Sequence, residues 1–174
     1  KEDENIHGIS FSKNYGQHNA LMAGMRKSTG DIIVCLDDDG QTPASEWISL
    51  VDALDDDTDV VYASYHNSRK KHSSYRNLGT LTNEFMLRFL LLKPKSLEIT
   101  SFLAIKRYIV NEICRYENPY PYTAGPILLS TKKIRNIEVT HRSRSVGRSG
   151  YTFRKLFSLW LNGATAYSVV PLRL

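Results

Sequence analysis

The feature that most constrains this chain is an uninterrupted apolar run at residues 32–36 (IIVCL) that stops abruptly at Asp37-Asp38-Asp39-Gly40-Gln41. A short run with no polar alternation reads as a strand buried on both faces, the habit of parallel sheets in α/β proteins. Chain leaving such a strand enters the crevice where open α/β sheets bind their ligands. Asp37 and Asp39 are two apart, so both carboxylates can approach one ion, and the side-chain oxygen of Gln41 is a third donor. Hard oxygen donors of this kind suit Mg²⁺ or Mn²⁺. The twelve-residue spacing and terminal Glu of an EF-hand are missing. The competing reading is a solvated acidic turn. Position decides against it: the carboxylates sit between a buried strand and Thr42-Pro43, which are expected to open a helix as N-cap and first-turn residue.

The flanking pattern agrees. Residues 6–11 have strand character. Residues 17–28 are good helix formers, with Leu21, Met25 and Ser28 on one face, and Gly30 is expected to supply a left-handed stop. Trp47, Leu50, Val51 and Leu54 form an apolar stripe on the next helix. Residues 59–64 (DVVYAS) read as a second buried strand. Strand, helix, strand, helix, strand implies an α/β unit with a parallel sheet. Further on, 99–105 is expected as strand, 106–116 as helix, 123–130 as a short buried helix and 135–140 as strand. Residues 66–76 and 143–150 read as basic or Ser/Gly/Arg loops. Residues 78–92 and 151–167 read as apolar helices. Neither repeats nor a linker divides the chain, so residues 1–174 are expected to form a single domain.

Composition narrows the function classes. With 41% hydrophobic and 24% charged residues, the chain is globular rather than disordered. Two cysteines, Cys35 and Cys114, cannot build a disulfide framework, and neither lies in a zinc-type cluster. No stretch of 18 or more apolar residues is present. The charge is lopsided. Residues 1–66 hold four basic and thirteen acidic side chains, and residues 67–174 hold nineteen and five. An acidic region suits a cation, and a basic one suits phosphates, nucleic acid or an anionic membrane. A basic nucleic-acid-binding module is therefore an alternative. It leaves the carboxylate loop unexplained, and no RNP-like, zinc-finger or clear helix-turn-helix pattern supports it, so no nucleic-acid partner is expected.

The segments S-K-N-Y-G-Q-H-N-A-L-M-A-G-M (12–25) and T-G-D-I-I-V-C-L-D-D-D-G-Q-T-P (29–43) resemble family 2 glycosyltransferases of the GT-A fold. More narrowly, they are similar to the branch that makes polyprenyl-phosphate sugars, the dolichol-phosphate mannosyltransferases and undecaprenyl-phosphate aminoarabinose transferases. The resemblance implies an α/β, GT-A-like (Rossmann-like), mostly parallel sheet with helices on both faces. It implies a D-x-D-x-Q loop in which Asp37, Asp39 and Gln41 hold the divalent ion of a nucleotide-sugar diphosphate, with Asp38 not a ligand. Downstream, S-F-L-A-I-K-R (101–107) resembles the family's S-F-R-L-x-x-R, with Leu103 replacing the usual Arg. R-S-V-G-R-S-G-Y (144–151) resembles its R-x-x-G-x-S-K-Y loop, matching at Arg144, Gly147, Ser149 and Tyr151, with Gly150 in place of Lys. The family's opening I-P-x-Y-N-E and V-D-D-G-S motifs do not occur, so the catalytic domain is expected to be N-terminally incomplete.

The activity implied is inverting, metal-dependent transfer of a sugar from a nucleotide-sugar donor to a polyprenyl (undecaprenyl or dolichyl) phosphate, as in cell envelope polysaccharide biosynthesis. Asp39, Arg144 and Arg76 are the catalytic candidates. Arg69, Arg144, Ser149 and Tyr151 are the substrate-binding ones. Arginine suits this work because its fork binds phosphate bidentately. A phosphate acceptor, with its second pKa at about 6, is already a nucleophile at neutral pH. A glycan or lipid hydroxyl acceptor, the alternative within the family, would need a carboxylate base, for which Glu98 is a weak candidate. The lone histidines 18, 66, 72 and 141 read as ordinary surface or core groups. The apolar helices with basic neighbours Arg88, Lys93, Lys95, Arg154, Lys155 and Arg173 are expected to meet a membrane surface, placing the protein at the cytoplasmic face, membrane-anchored in its full length. A sheet edge left open by missing strands is expected to promote self-association.

Overall fold

The computed structural model describes residues 3–38, 40–65, 93–118 and 121–140. Within them β1 (Ile32–Cys35), β2 (Val60–Ser64), β3 (Leu103–Lys106) and β4 (Ile134–Glu138) form one sheet in the order β1-β3-β2-β4. β3 is antiparallel to both β1 and β2, whereas β2 and β4 pair in parallel. β1, β2 and β4 therefore run one way and β3 against them, a mixed sheet in which most described strands share a direction. β1 and β2, consecutive strands in sequence, are not neighbours. β3 takes the place between them because both of its faces are apolar: Leu103, Ala104 and Ile105 are all buried. All five residues of β2 are buried too, as expected of a strand covered on two sides.

Register sorts the side chains into two cores. Ile33 faces Ile105, which faces Val60, which faces Ile134, and the row two residues on runs Cys35, Leu103, Tyr62. These pack with Met22 and Met25 of α1 (Gln17–Lys27), with Ile109, Val110 and Ile113 of α3 (Arg107–Ile113), and with Ile127 and Leu128 of α4 (Ala124–Ser130). On the other face Val61, Ala63, Phe102 and Ala104 pack with Leu50 of α2 (Trp47–Asp52). The odd and even residues of each strand thus feed opposite layers, and helices cover both faces as anticipated.

Four local expectations need correction. The run 32–36 is not buried on both faces: β1 stands at one end of the described sheet, Ile32 is exposed, and Leu36 lies past the strand and is exposed as well. Residues 6–11 form no strand, and Ile6, Ile9 and Phe11 are exposed; among the described residues no neighbouring strand offers them a ladder. α1 ends without help from Gly30. Ser28 turns extended (φ −67°, ψ 148°) and donates its Oγ to the Met25 carbonyl at 2.8 Å. The Gly30 carbonyl instead receives Nε of Arg107 at 2.8 Å, and the same guanidinium reaches Ser28 Oγ at 3.2 Å. The helix expected to open at Thr42-Pro43 begins later, as a 3₁₀ turn over Ala44–Glu46 that becomes α2 at Trp47. Thr42 is drawn away from capping by Tyr65, whose hydroxyl lies 3.2 Å from its Oγ1. The readings over residues 66–92 and 143–167 lie outside the described residues, but Lys93, expected to meet a membrane surface, is buried.

Candidate active site

The end of β1 delivers Asp37 to the surface, past buried Cys35 and exposed Leu36. Two other segments meet it there. Gln17, the first residue of α1, donates Nε2 to Asp37 Oδ1 at 3.0 Å, and Ser101, two residues before β3, donates Oγ to Asp37 Oδ2. Gln41 and Thr42 come round on the same loop, where Gly40 adopts φ +69°. That left-handed conformation is one that a side-chain-bearing residue adopts only at a cost, so Gly40 fits the reversal that brings Gln41 back. Tyr65, immediately after β2, closes the far side. Asp37, Gln41, Thr42, Tyr65 and Ser101, with the apolar Leu36 and Phe102, line a cavity of about 130 Å³.

The donors are oxygen-rich and hard. The carboxylate of Asp37 and the amide of Gln41 share one cavity, a set that fits Mg²⁺ or Mn²⁺, which take one or two carboxylates and complete their shell with water and phosphate oxygens. Among the described residues no group of three or more His, Cys, Asp or Glu gathers as an all-protein metal cage. Cys35 offers no soft alternative: burial, reinforced by the neighbouring Asp37 charge, pushes its thiol up to about 11, so it stays protonated at neutral pH. Asp38 is exposed. Asp39, Arg69, Arg76, Arg144, Ser149 and Tyr151 lie outside the described residues.

A second polar cluster stands at the end of β2. Ser64 donates its hydroxyl to Glu98 Oε2 at 2.7 Å, and Asn136 on β4 holds the Glu98 backbone from the side. One carboxylate oxygen of Glu98 thus accepts from Ser64, and its backbone is tied to β4. His18 is half-buried against Tyr122, ring centroids 5.0 Å apart, with Nδ1 3.2 Å from Thr123 Oγ1, and burial lowers its pKa. Leu103, which stands where the resembling family carries Arg, is buried in the core.

Of the predicted metal-ligand set, Asp37 and Gln41 line this cavity; Gln17, Thr42, Tyr65 and Ser101, which gather around them, are not among the site residues the sequence singles out. Gln17 and Ser101 lie inside the motif-bearing segments. Nothing in the spacing of positions 17, 37 and 101 says that they meet.

Comparison with known proteins points the same way. Residues 1–114 match the model of the family described as glycosyl transferase family 2. The chain is 32% identical over 174 residues to the undecaprenyl-phosphate 4-deoxy-4-formamido-L-arabinose transferase of Pectobacterium atrosepticum, covering 99% of this chain and 52% of the relative. It is 31% identical over 179 residues to the protein of that name in Proteus mirabilis, with the same coverage. The chain thus spans about half the length of the curated relatives it matches. Among solved structures it is similar to glucosyl-3-phosphoglycerate synthase from Mycobacterium tuberculosis in complex with UDP, with a TM-score of 0.61 and 16% identity over 87% of this chain and 55% of that one. Mannosyl-3-phosphoglycerate synthase from Rubrobacter xylanophilus gives a TM-score of 0.56 and 15% identity over 94% of this chain and 52% of that one. At such identities these likenesses establish the fold, a GT-A sheet, and nothing finer.

Proposed function

This chain belongs to glycosyl transferase family 2, and from that premise we propose that it is the catalytic domain, or a large part of it, of an inverting enzyme that moves a sugar from a nucleotide-sugar donor to a polyprenyl phosphate. The observation that carries the reading is the convergence of Asp37, Gln41 and Ser101 on one cavity at the carboxyl end of β1. The similarity to undecaprenyl-phosphate sugar transferases over 99% of this chain supports the acceptor class.

In this reading Asp37, Asp39 and Gln41 would hold Mg²⁺ or Mn²⁺, which would supply positive charge against the leaving diphosphate. Arg69, Arg76 and Arg144 bind phosphate oxygens of acceptor and leaving group, each guanidinium presenting a fork that matches two oxygens. Ser149 and Tyr151 add neutral donors. Positive groups aimed where negative charge grows favour the transition state over the ground state. The acceptor phosphate attacks the anomeric carbon in line with the departing diphosphate. It needs no base to ionise it near neutral pH. A polyprenyl tail lies in a bilayer, so the domain works at a membrane surface, on the cytoplasmic side where nucleotide sugars are supplied. Among the described residues no helix is long and apolar enough to cross a membrane.

The test is calorimetric titration with UDP and with GDP, each with and without Mn²⁺, followed by a transfer assay with undecaprenyl phosphate in detergent. Nucleotide binding that needs the metal and is lost in Asp39→Ala is expected, with label appearing on the lipid phosphate. Binding indifferent to metal, or label appearing only on a hydroxyl acceptor, would overturn the reading.

A further inference from the structure

Both oxygens of the Asp37 carboxylate are already engaged by the protein. Oδ1 accepts from Gln17 Nε2 at 3.0 Å and Oδ2 accepts from Ser101 Oγ. A carboxylate offers about four lone-pair directions, and two donors leave one on each oxygen for a further partner. Asp37 is exposed and lies on a loop. Without those two donors its side chain would be free to turn among rotamers.

The two donors are themselves held. Thr100 Oγ1 lies 3.0 Å from the Ala63 carbonyl and 3.1 Å from the Phe102 carbonyl, and Ala63 N donates to Phe102 O at 2.9 Å. Ser101 therefore sits on chain tied to β2 on both sides. Gln17 opens α1 after a turn in which Gly16 N donates to Asn14 Oδ1 at 2.8 Å and Asn19 Nδ2 donates to the Tyr15 carbonyl at 2.9 Å. The Asp37 carboxylate is thus held by two donors, distant in sequence, whose own segments are hydrogen-bonded, the arrangement that fixes a ligand's direction before its ion arrives.

We propose that Gln17 and Ser101 are positioning residues that hold the Asp37 carboxylate in the orientation a divalent cation requires. The inference rests on the reading of Asp37 as a cation ligand. It goes further by assigning metal affinity to two residues that do not touch the metal. If the two bonds served only to pin the loop, their loss would lower stability and leave metal affinity unmoved.

The experiment titrates the chain with Mn²⁺ alone, reads free Mn²⁺ by electron paramagnetic resonance, and follows urea unfolding in parallel. Ser101→Ala and Gln17→Ala are each expected to weaken Mn²⁺ binding by about 10- to 100-fold with little change in the urea midpoint. Ser101→Thr, which keeps the hydroxyl, is expected to restore binding. Parent-like Mn²⁺ affinity in both alanine variants, or a threonine variant as weak as the alanine one, overturns the positioning role while leaving the cation site standing. Failure of the parent chain to bind Mn²⁺ overturns both.

Discussion

Asn136 and Glu98 pair reciprocally: the Glu98 backbone N–H donates to Asn136 Oδ1 at 2.8 Å, and Asn136 Nδ2 donates back to the Glu98 carbonyl at 2.7 Å. The side-chain amide thus gives the backbone of Glu98 the donor and acceptor that a neighbouring strand would give it. The same Nδ2 lies 3.2 Å from the Tyr62 carbonyl on β2. One side chain on β4 therefore fastens the segment leading to Ser101 onto the sheet.

Replacing Asn136 by Ala removes this fastening and leaves the Glu98 groups to find water. A loss of about 1–3 kcal/mol is expected, the usual consequence of stranding partly buried polar groups. Urea denaturation measures it. A change within about 0.5 kcal/mol, typical of an inert surface substitution, would show that the pair contributes little.

Asp37 and its neighbour Asp38 separate the metal reading from a merely acidic turn. Asp37→Ala is expected to abolish Mn²⁺-dependent nucleotide binding, whereas Asp38→Ala, which removes an exposed carboxylate, leaves it near the parent value. Calorimetry with UDP or GDP in the presence of Mn²⁺ reads both. Equal losses at the two positions would point to general charge rather than to a ligand.

Asp59 makes folding sensitive to acid. Burial opposes its ionisation, but the hydroxyls of Thr131 and Tyr108 and the charge of Lys106 outweigh it and hold its carboxyl below the ordinary value of 3.8. Thr131 Oγ1 donates at 2.6 Å, and Lys106 Nζ lies at 3.5 Å. A depressed folded-state pKa contributes stability above the unfolded value, and this is lost as pH falls through the folded one. The acid limb of the stability curve, measured by urea unfolding below about pH 4, is expected to flatten in Asp59→Asn. An unchanged acid limb would assign the acid sensitivity elsewhere.

Tyr62 carries a hydroxyl that is fully buried and has no hydrogen-bond partner among the described residues, and burial pushes its pKa up strongly. Tyr62→Phe keeps the ring and removes the stranded oxygen. It is expected to raise stability by about 1 kcal/mol, the lower end of what an unsatisfied buried polar group costs. A thermal midpoint lowered by the substitution would mean that the hydroxyl is satisfied after all.

Leu50 is wholly buried and joins α2 to the second face of the sheet. Leu50→Ala is expected to cost about 2–5 kcal/mol, the range for emptying a closely packed aliphatic site. Because Leu36, Thr42 and α2 follow one another along the chain, a shift of α2 would reach the site loop, so weakened nucleotide binding is expected to accompany the lost stability.

Strand identity and the acidic site loop could be read from the sequence alone. Residues 59–64 announced a strand covered on both faces, because such a strand needs apolar side chains at every position and that requirement is local; the apolar run 32–36 marked a strand but not its burial, since Ile32 and Leu36 are exposed. That Asp37 and Gln41 lie on one loop was legible for a local reason too: both lie within six residues of the end of β1. The helix stop at Gly30 and the cap at Thr42 were misread because their partners, Arg107 and Tyr65, are distant in sequence. The insertion of β3 between β1 and β2, the grip of Gln17 and Ser101 on Asp37, and the clasp of Asn136 on Glu98 were settled by the tertiary structure. Each joins residues between 20 and 75 positions apart. Periodicity reports the environment that a single element needs, whereas which elements become neighbours depends on the packing of every face at once.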